Sequence, residues 1–96
     1  MMNDDVAERL KKILVDEAGY SLTIDQIHRS TSLYGKGLGL SSLDVVSLVV
    51  RLEDEFNIFF EAEEVAPSVE TFGSLLEAIR RKIAIEETAR SSEAGG

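Results

Sequence analysis

The sequence predicts an all-α fold. It is a small four-helix bundle of three longer helices and a short third one, with a long loop between the first two helices. Three separate segments place apolar residues at helical spacing. Glycine, serine and proline positions punctuate the chain between them, and nothing in the pattern demands a strand. The 96 residues suit one domain, expected at residues 1–88, followed by a polar, disordered tail at residues 89–96. A core of this size is marginal unless most apolar faces are used.

Asp4 and Asp5 place acid at the start of the first helix, where the helix dipole favours it. Val6, Leu10, Ile13 and Leu14 then form one apolar stripe, and Gly19 is the expected stop. Arg9, Lys11 and Lys12 fall on the solvent side. The connection over residues 20–40 is long for a compact domain. Leu22, Ile24, Ile27 and Leu33 are expected to pin it to the bundle, and Thr23 to cap a short turn through Gln26. His28 has no nucleophile pattern near it, so a solvated or capping role is expected.

The second helix is the most apolar. Gly35, Gly37 and Gly39 break any regular element before it. Ser41 is the expected N-cap, and Asp44 completes a variant of the capping box. Asp44 also sets a negative charge at the positive end of the dipole. Val45, Val49, Leu52 and Phe56 form one stripe, and Leu43, Val46 and Val50 another. With Leu48 they cover more than half the circumference. A narrow polar arc holds Asp44, Ser47, Arg51, Asp54 and Glu55. Leu43 and Val50 border that arc and are expected to stay within reach of a partner.

Beyond Phe56 the chain turns at Asn57, with Ile58, Phe59 and Phe60 set against the bundle end. Glu61 to Ala66 reads as the short third helix, stopped by Pro67. Its acids lack the ordered spacing of a calcium loop. Thr71 caps the last helix, where Phe72, Leu75, Leu76, Ile79 and Ile83 form a buried stripe. Arg80, Arg81 and Lys82 fall toward its C-terminal part.

The net charge is −8, which repels nucleic-acid phosphates. Cysteine is absent, which excludes a disulfide framework, a cysteine metal site and a thiol nucleophile. One histidine cannot build a zinc site of the usual kind. No apolar run spans a bilayer, and Met1 to Asp5 lacks the features of a signal peptide. The expectation is a cytoplasmic monomer that binds neither nucleic acid nor membrane. From Ser41 to Ala66 seven acids face Arg51 alone, which places −6 of the −8 there. A surface of one sign speeds encounter with oppositely charged partners.

Gly39-Leu40-Ser41-Ser42-Leu43-Asp44, the apolar helix and Glu53-Asp54-Glu55-Phe56 together resemble the acyl carrier protein family. That family's pattern is Gly-x-Asp-Ser-Leu at the start of the second helix. The match covers the chain from Val6 to Ile83, and Gly39, Leu43 and the acidic run set its register. The resemblance implies a phosphopantetheine arm, donated by coenzyme A and covalently held on Ser42. It implies a phosphopantetheinyl transferase that brings the base and Mg²⁺. Acyl groups would ride on the arm as thioesters, for fatty-acid or specialised lipid or polyketide-like synthesis. Acyl ligases, ketosynthases and acyltransferases with basic docking surfaces would be the partners. Leu43, Asp44, Ser47, Val50, Arg51, Asp54, Glu61, Glu63 and Glu64 would face them. An aminoacyl or peptidyl carrier of a nonribosomal pathway, or an unmodified helical interaction module, are the alternatives.

The chain departs from the family pattern at three places. Ser41 stands where Asp is usual, Ser47 where Glu is frequent, and the loop Leu33 to Leu38 is longer than in fatty-acid-synthesis carriers. Nothing in the chain activates Ser42 as a hydrolase serine would need, so an enzyme is not expected. An isolated serine pair would read as a helix cap alone. In this motif Ser41 keeps the cap and Ser42 is read as the modified residue.

Overall fold

A computed structural model describes residues 2–18, 23–35 and 37–95, with side chains over 5–18, 23–35 and 37–85. Gly19 and Leu22 lie outside the described residues. Four α-helices follow in order among the described residues: α1 (Met2–Glu17), α2 (Ser42–Phe56), α3 (Ala62–Ser68) and α4 (Phe72–Gly95). A short 3-10 turn, Ile24–Gln26, lies in the first connection. The described residues contain isolated β-bridges, Ser32 with Thr71 and Tyr34 with Leu40, and no strand.

Each stripe becomes core. Val6, Leu10, Ile13 and Leu14 of α1 meet Val45, Leu48, Val49 and Leu52 of α2 and Phe72, Leu75, Leu76 and Ile79 of α4 in one buried cluster. Leu10, Leu14, Leu48, Leu52, Leu75 and Ile79 are fully enclosed. Each such side chain contributes about 1.5–3 kcal/mol by leaving water. Ile27 and Leu33 anchor the long connection in the same cluster. Gln26 Oε1 accepts from the Thr23 N–H at 2.7 Å, which caps the short turn.

Asn57 takes the left-handed conformation that ends α2, and its N–H donates to the Glu53 carbonyl. Ile58 and Phe60 then turn inward, whereas Phe59 is exposed rather than set against the bundle. Pro67 does not stop α3 but sits in its last turn. Proline removes one N–H from a helix, and here it is exposed, where water can satisfy the freed carbonyl. α4 continues past residue 88, so Arg80, Arg81 and Lys82 lie near its middle rather than at its end.

Candidate functional site

The start of α2 is built by two tight steps. Gly39 adopts a left-handed φ of 72°, where a side chain would be strained. Leu40 then enters the core and fixes the chain. Ser41 Oγ accepts from the Asp44 N–H at 3.1 Å, and Asp44 Oδ2 accepts from the Ser41 N–H at 2.9 Å. This reciprocal box occupies the Ser41 hydroxyl. It also holds the Asp44 carboxyl below its usual range, through the Ser41 backbone N–H first and the Ser41 hydroxyl second. The aspartate stays charged at the positive end of the dipole.

Ser42 is the first residue of α2 and is exposed. Its hydroxyl makes no hydrogen bond among the described residues, so no base among them is bonded to it. His28 is exposed on the connection between α1 and α2. A negative phosphate ester on Ser42 would lie by the free N–H groups of the first turn. A reachable hydroxyl, an occupied neighbour and a favourable dipole fit a covalent phosphate-linked group.

Around Ser42 runs an apolar strip that faces water. Leu43 is 79 % exposed, Val46 60 % and Val50 61 %. With Ser47 and Asp54, also exposed, they lie within an arc of about 100° on α2, at about 100° per residue. Val46 belongs to this strip although the sequence reading placed only Leu43 and Val50 there. Its signal was present in the spacing, since it is the i+3 and i−4 neighbour of those two.

Arg51 does not stand free on this face. Its Nη1 donates to Asp16 Oδ2 at 2.6 Å and to Glu17 Oε2 at 3.3 Å, at the end of α1. Asp16 raises its pKa further above the ordinary value; burial opposes that rise, and Glu17 adds to it. It ties α2 to α1 while its side chain stays 42 % exposed. The acids of α3 are likewise divided. Glu61 and Glu63 are exposed, while Glu64 pairs with Lys82 of α4 and accepts from the Glu61 N–H at 3.1 Å. Lys82, then the Glu61 N–H, hold the Glu64 carboxyl below its usual range.

A cleft of about 410 Å³ opens between α3 and α4, walled by residues that include Glu63, Ser68, Ser74 and Arg81. Ser42 is not among its walls. No group of three or more His, Asp or Glu is arranged to hold a metal among the described residues. No helix there is long and apolar enough to cross a membrane. Residues 8–86 match a family model described as "Phosphopantetheine attachment site".

Proposed function

Because the chain belongs to the phosphopantetheine attachment-site family, whose members carry that group covalently, we propose that Ser42 holds the arm of an acyl carrier protein. The observation that carries this is the division of labour between two adjacent serines. Ser41 is spent on the helix cap, whereas Ser42 is exposed with its hydroxyl unengaged. When bound, the arm supplies the thiol on which acyl groups travel as thioesters. The chain's own residues present the serine, favour its phosphate ester through the helix start and offer a docking strip beside it. With no base among the described residues bonded to Ser42, the chain serves as a substrate and carrier, and the proton is taken by the transferase.

The partners we propose are a phosphopantetheinyl transferase and acyl ligase, ketosynthase and acyltransferase type enzymes. Leu43, Val46 and Val50 supply apolar contact, and Asp54, Glu61 and Glu63 supply charge for basic docking surfaces. The strongly acidic surface favours an acyl over an aminoacyl cargo. Fatty-acid or specialised lipid or polyketide-like synthesis is the setting we propose.

The test is intact mass after incubation with a transferase and coenzyme A, then with acyl and aminoacyl ligases in parallel. One phosphopantetheine increment followed by an acyl increment is expected. Loading by aminoacyl ligases alone would replace the acyl reading with a peptidyl one. No increment at the first step would overturn both.

A further inference from the structure

The loop that leads into Ser42 is sewn to the start of α4 by an outer tier of backbone hydrogen bonds and to itself by an inner tier. In the outer tier the Phe72 N–H donates to the Thr31 carbonyl at 2.9 Å, and the Gly73 N–H to the Arg29 carbonyl at 2.8 Å. The Leu33 N–H donates to the Glu70 carbonyl at 3.2 Å. In the inner tier the Leu38 N–H donates to the Ser32 carbonyl and the Leu40 N–H to the Leu33 carbonyl, both at 2.9 Å. Ser32 and Leu33 are therefore the shared rung. Leu40 ends the ladder two residues before Ser42.

Gly37 closes this rung. Its N–H donates to the Tyr34 carbonyl at 3.1 Å, which turns the loop back on itself. A Cβ added at Gly37 would lie 1.9 Å from the Ser32 carbonyl oxygen and 2.6 Å from its carbon. That oxygen is the acceptor for Leu38. The colliding atoms are backbone, so the rung itself must move. Gly73 meets the same ladder from the other side, where a Cβ would lie 2.8 Å from the Arg29 oxygen.

From this geometry we infer that Gly37 is a positioning residue for modification of Ser42, acting through the Ser32–Leu33 rung. The inference rests on Ser42 as the attachment site. Docking and positioning use different parts of the chain. The α2 strip meets the transferase, while the ladder sets where the first residue of α2 presents its hydroxyl. Displacing a reacting group by about 1 Å can cost up to about 100-fold in rate.

The carrier is itself the substrate of the transferase, which separates this role from a folding defect. Partial unfolding dilutes the competent substrate, raising the apparent KM and leaving kcat at saturation unchanged. Misplacement of Ser42 lowers kcat and leaves KM.

The experiment measures kcat and KM for transferase with coenzyme A, and amide hydrogen exchange, on wild type, Gly37→Ala, Gly73→Ala and Gly35→Ala. Gly35, unlike Gly37 and Gly73, has a positive φ, of 54°, and a Cβ there meets nothing within 4 Å. It therefore controls for backbone strain without a collision. Gly37→Ala is expected to lower kcat about tenfold or more at unchanged KM. Exchange should quicken together at Leu33, Leu38, Leu40 and, across the ladder, Phe72. Gly73→Ala is expected to do the same more weakly, and it carries the test if Gly37→Ala does not fold. Gly35→Ala should keep kcat within about twofold. A rise in KM alone, or slow exchange retained at Phe72 in both ladder variants, overturns the positioning role. A wild-type chain left unmodified, or modified elsewhere, overturns the attachment assignment itself, and the exchange data distinguish that failure from a ladder that does not couple.

Discussion

At Ser41 and at Thr71 a hydroxyl accepts from the backbone N–H three residues on, and the residue there returns a bond to the cap's own N–H. The first pairing is Ser41 with Asp44, the second Thr71 with Ser74. The two helix starts use the same local chemistry in opposite surroundings. At α4 the Ser74 hydroxyl also donates to the Ser68 carbonyl at 2.8 Å, and Phe72 and Gly73 are buried and bonded to Thr31 and Arg29. At α2 the residue after the cap is exposed and unengaged. A cap motif alone therefore does not mark a site. What marks one is a cap that leaves its neighbour open to solvent, beside an apolar strip that the core does not use.

The contrast between buried and open faces of α2 gives the largest expected effect. Leu48 is fully buried, so Leu48→Ala should cost about 2–5 kcal/mol in a denaturant melt. Val46→Ala should change stability by less than about 0.5 kcal/mol, since its side chain is already in water. A large loss at Val46 would place that strip in the core and remove it from the docking surface.

The two caps come next. Thr71→Ala leaves part-buried groups without a partner and should cost about 2 kcal/mol. Ser41→Ala, whose partners can turn to water, should cost about 1 kcal/mol or less. Equal losses would mean that the α2 start is as enclosed as that of α4.

Much of this was legible in the chain. Stripes at helical spacing marked the faces of α1 and α4 that are buried, because packing selects one side of a helix. The Ser41–Asp44 box and the Thr71 cap were legible because both depend on residues three apart. The spacing also set Val46 on the face of Leu43 and Val50, but that this whole face stays open was not legible. Apolar spacing records which residues are greasy, not which of two greasy faces a neighbouring helix covers. The roles of Arg51 and Lys82 were hidden for a related reason. Their acid partners lie on α1 and α3, and only the tertiary fold brings them together. Pro67 inside α3 shows propensity yielding to a helix short enough to lose a single bond.

A smaller effect is expected from charge at the open helix start. Ser41→Asp keeps a cap and adds a negative charge beside Ser42. Its initial rate of modification by a fatty-acid-pathway transferase should rise up to about fivefold at low salt, as an exposed charge contact is worth at most ~1 kcal/mol. Added salt should erase the gain. No gain at low salt would mean that encounter does not run over this surface.

The smallest effect is on acid stability. The folded-state carboxyls of Asp44 and Glu64 both titrate below their ordinary values. Groups of that kind contribute stability that is fully present above the unfolded-state pKa and lost as pH falls through the folded one. Stability measured by melts should therefore fall with pH below the ordinary carboxylate range. Asp44→Asn should flatten its own share of that slope, and Glu64→Gln its share. Unchanged slopes would mean that these bonds do not persist in solution.

Peptide mass mapping after treatment with transferase and coenzyme A tests the central assignment most directly, on wild type, Ser41→Ala and Ser42→Ala. The arm should map to Ser42 in wild type, persist in Ser41→Ala and be lost in Ser42→Ala. Modification that survives in Ser42→Ala would contradict the division of labour between the two serines.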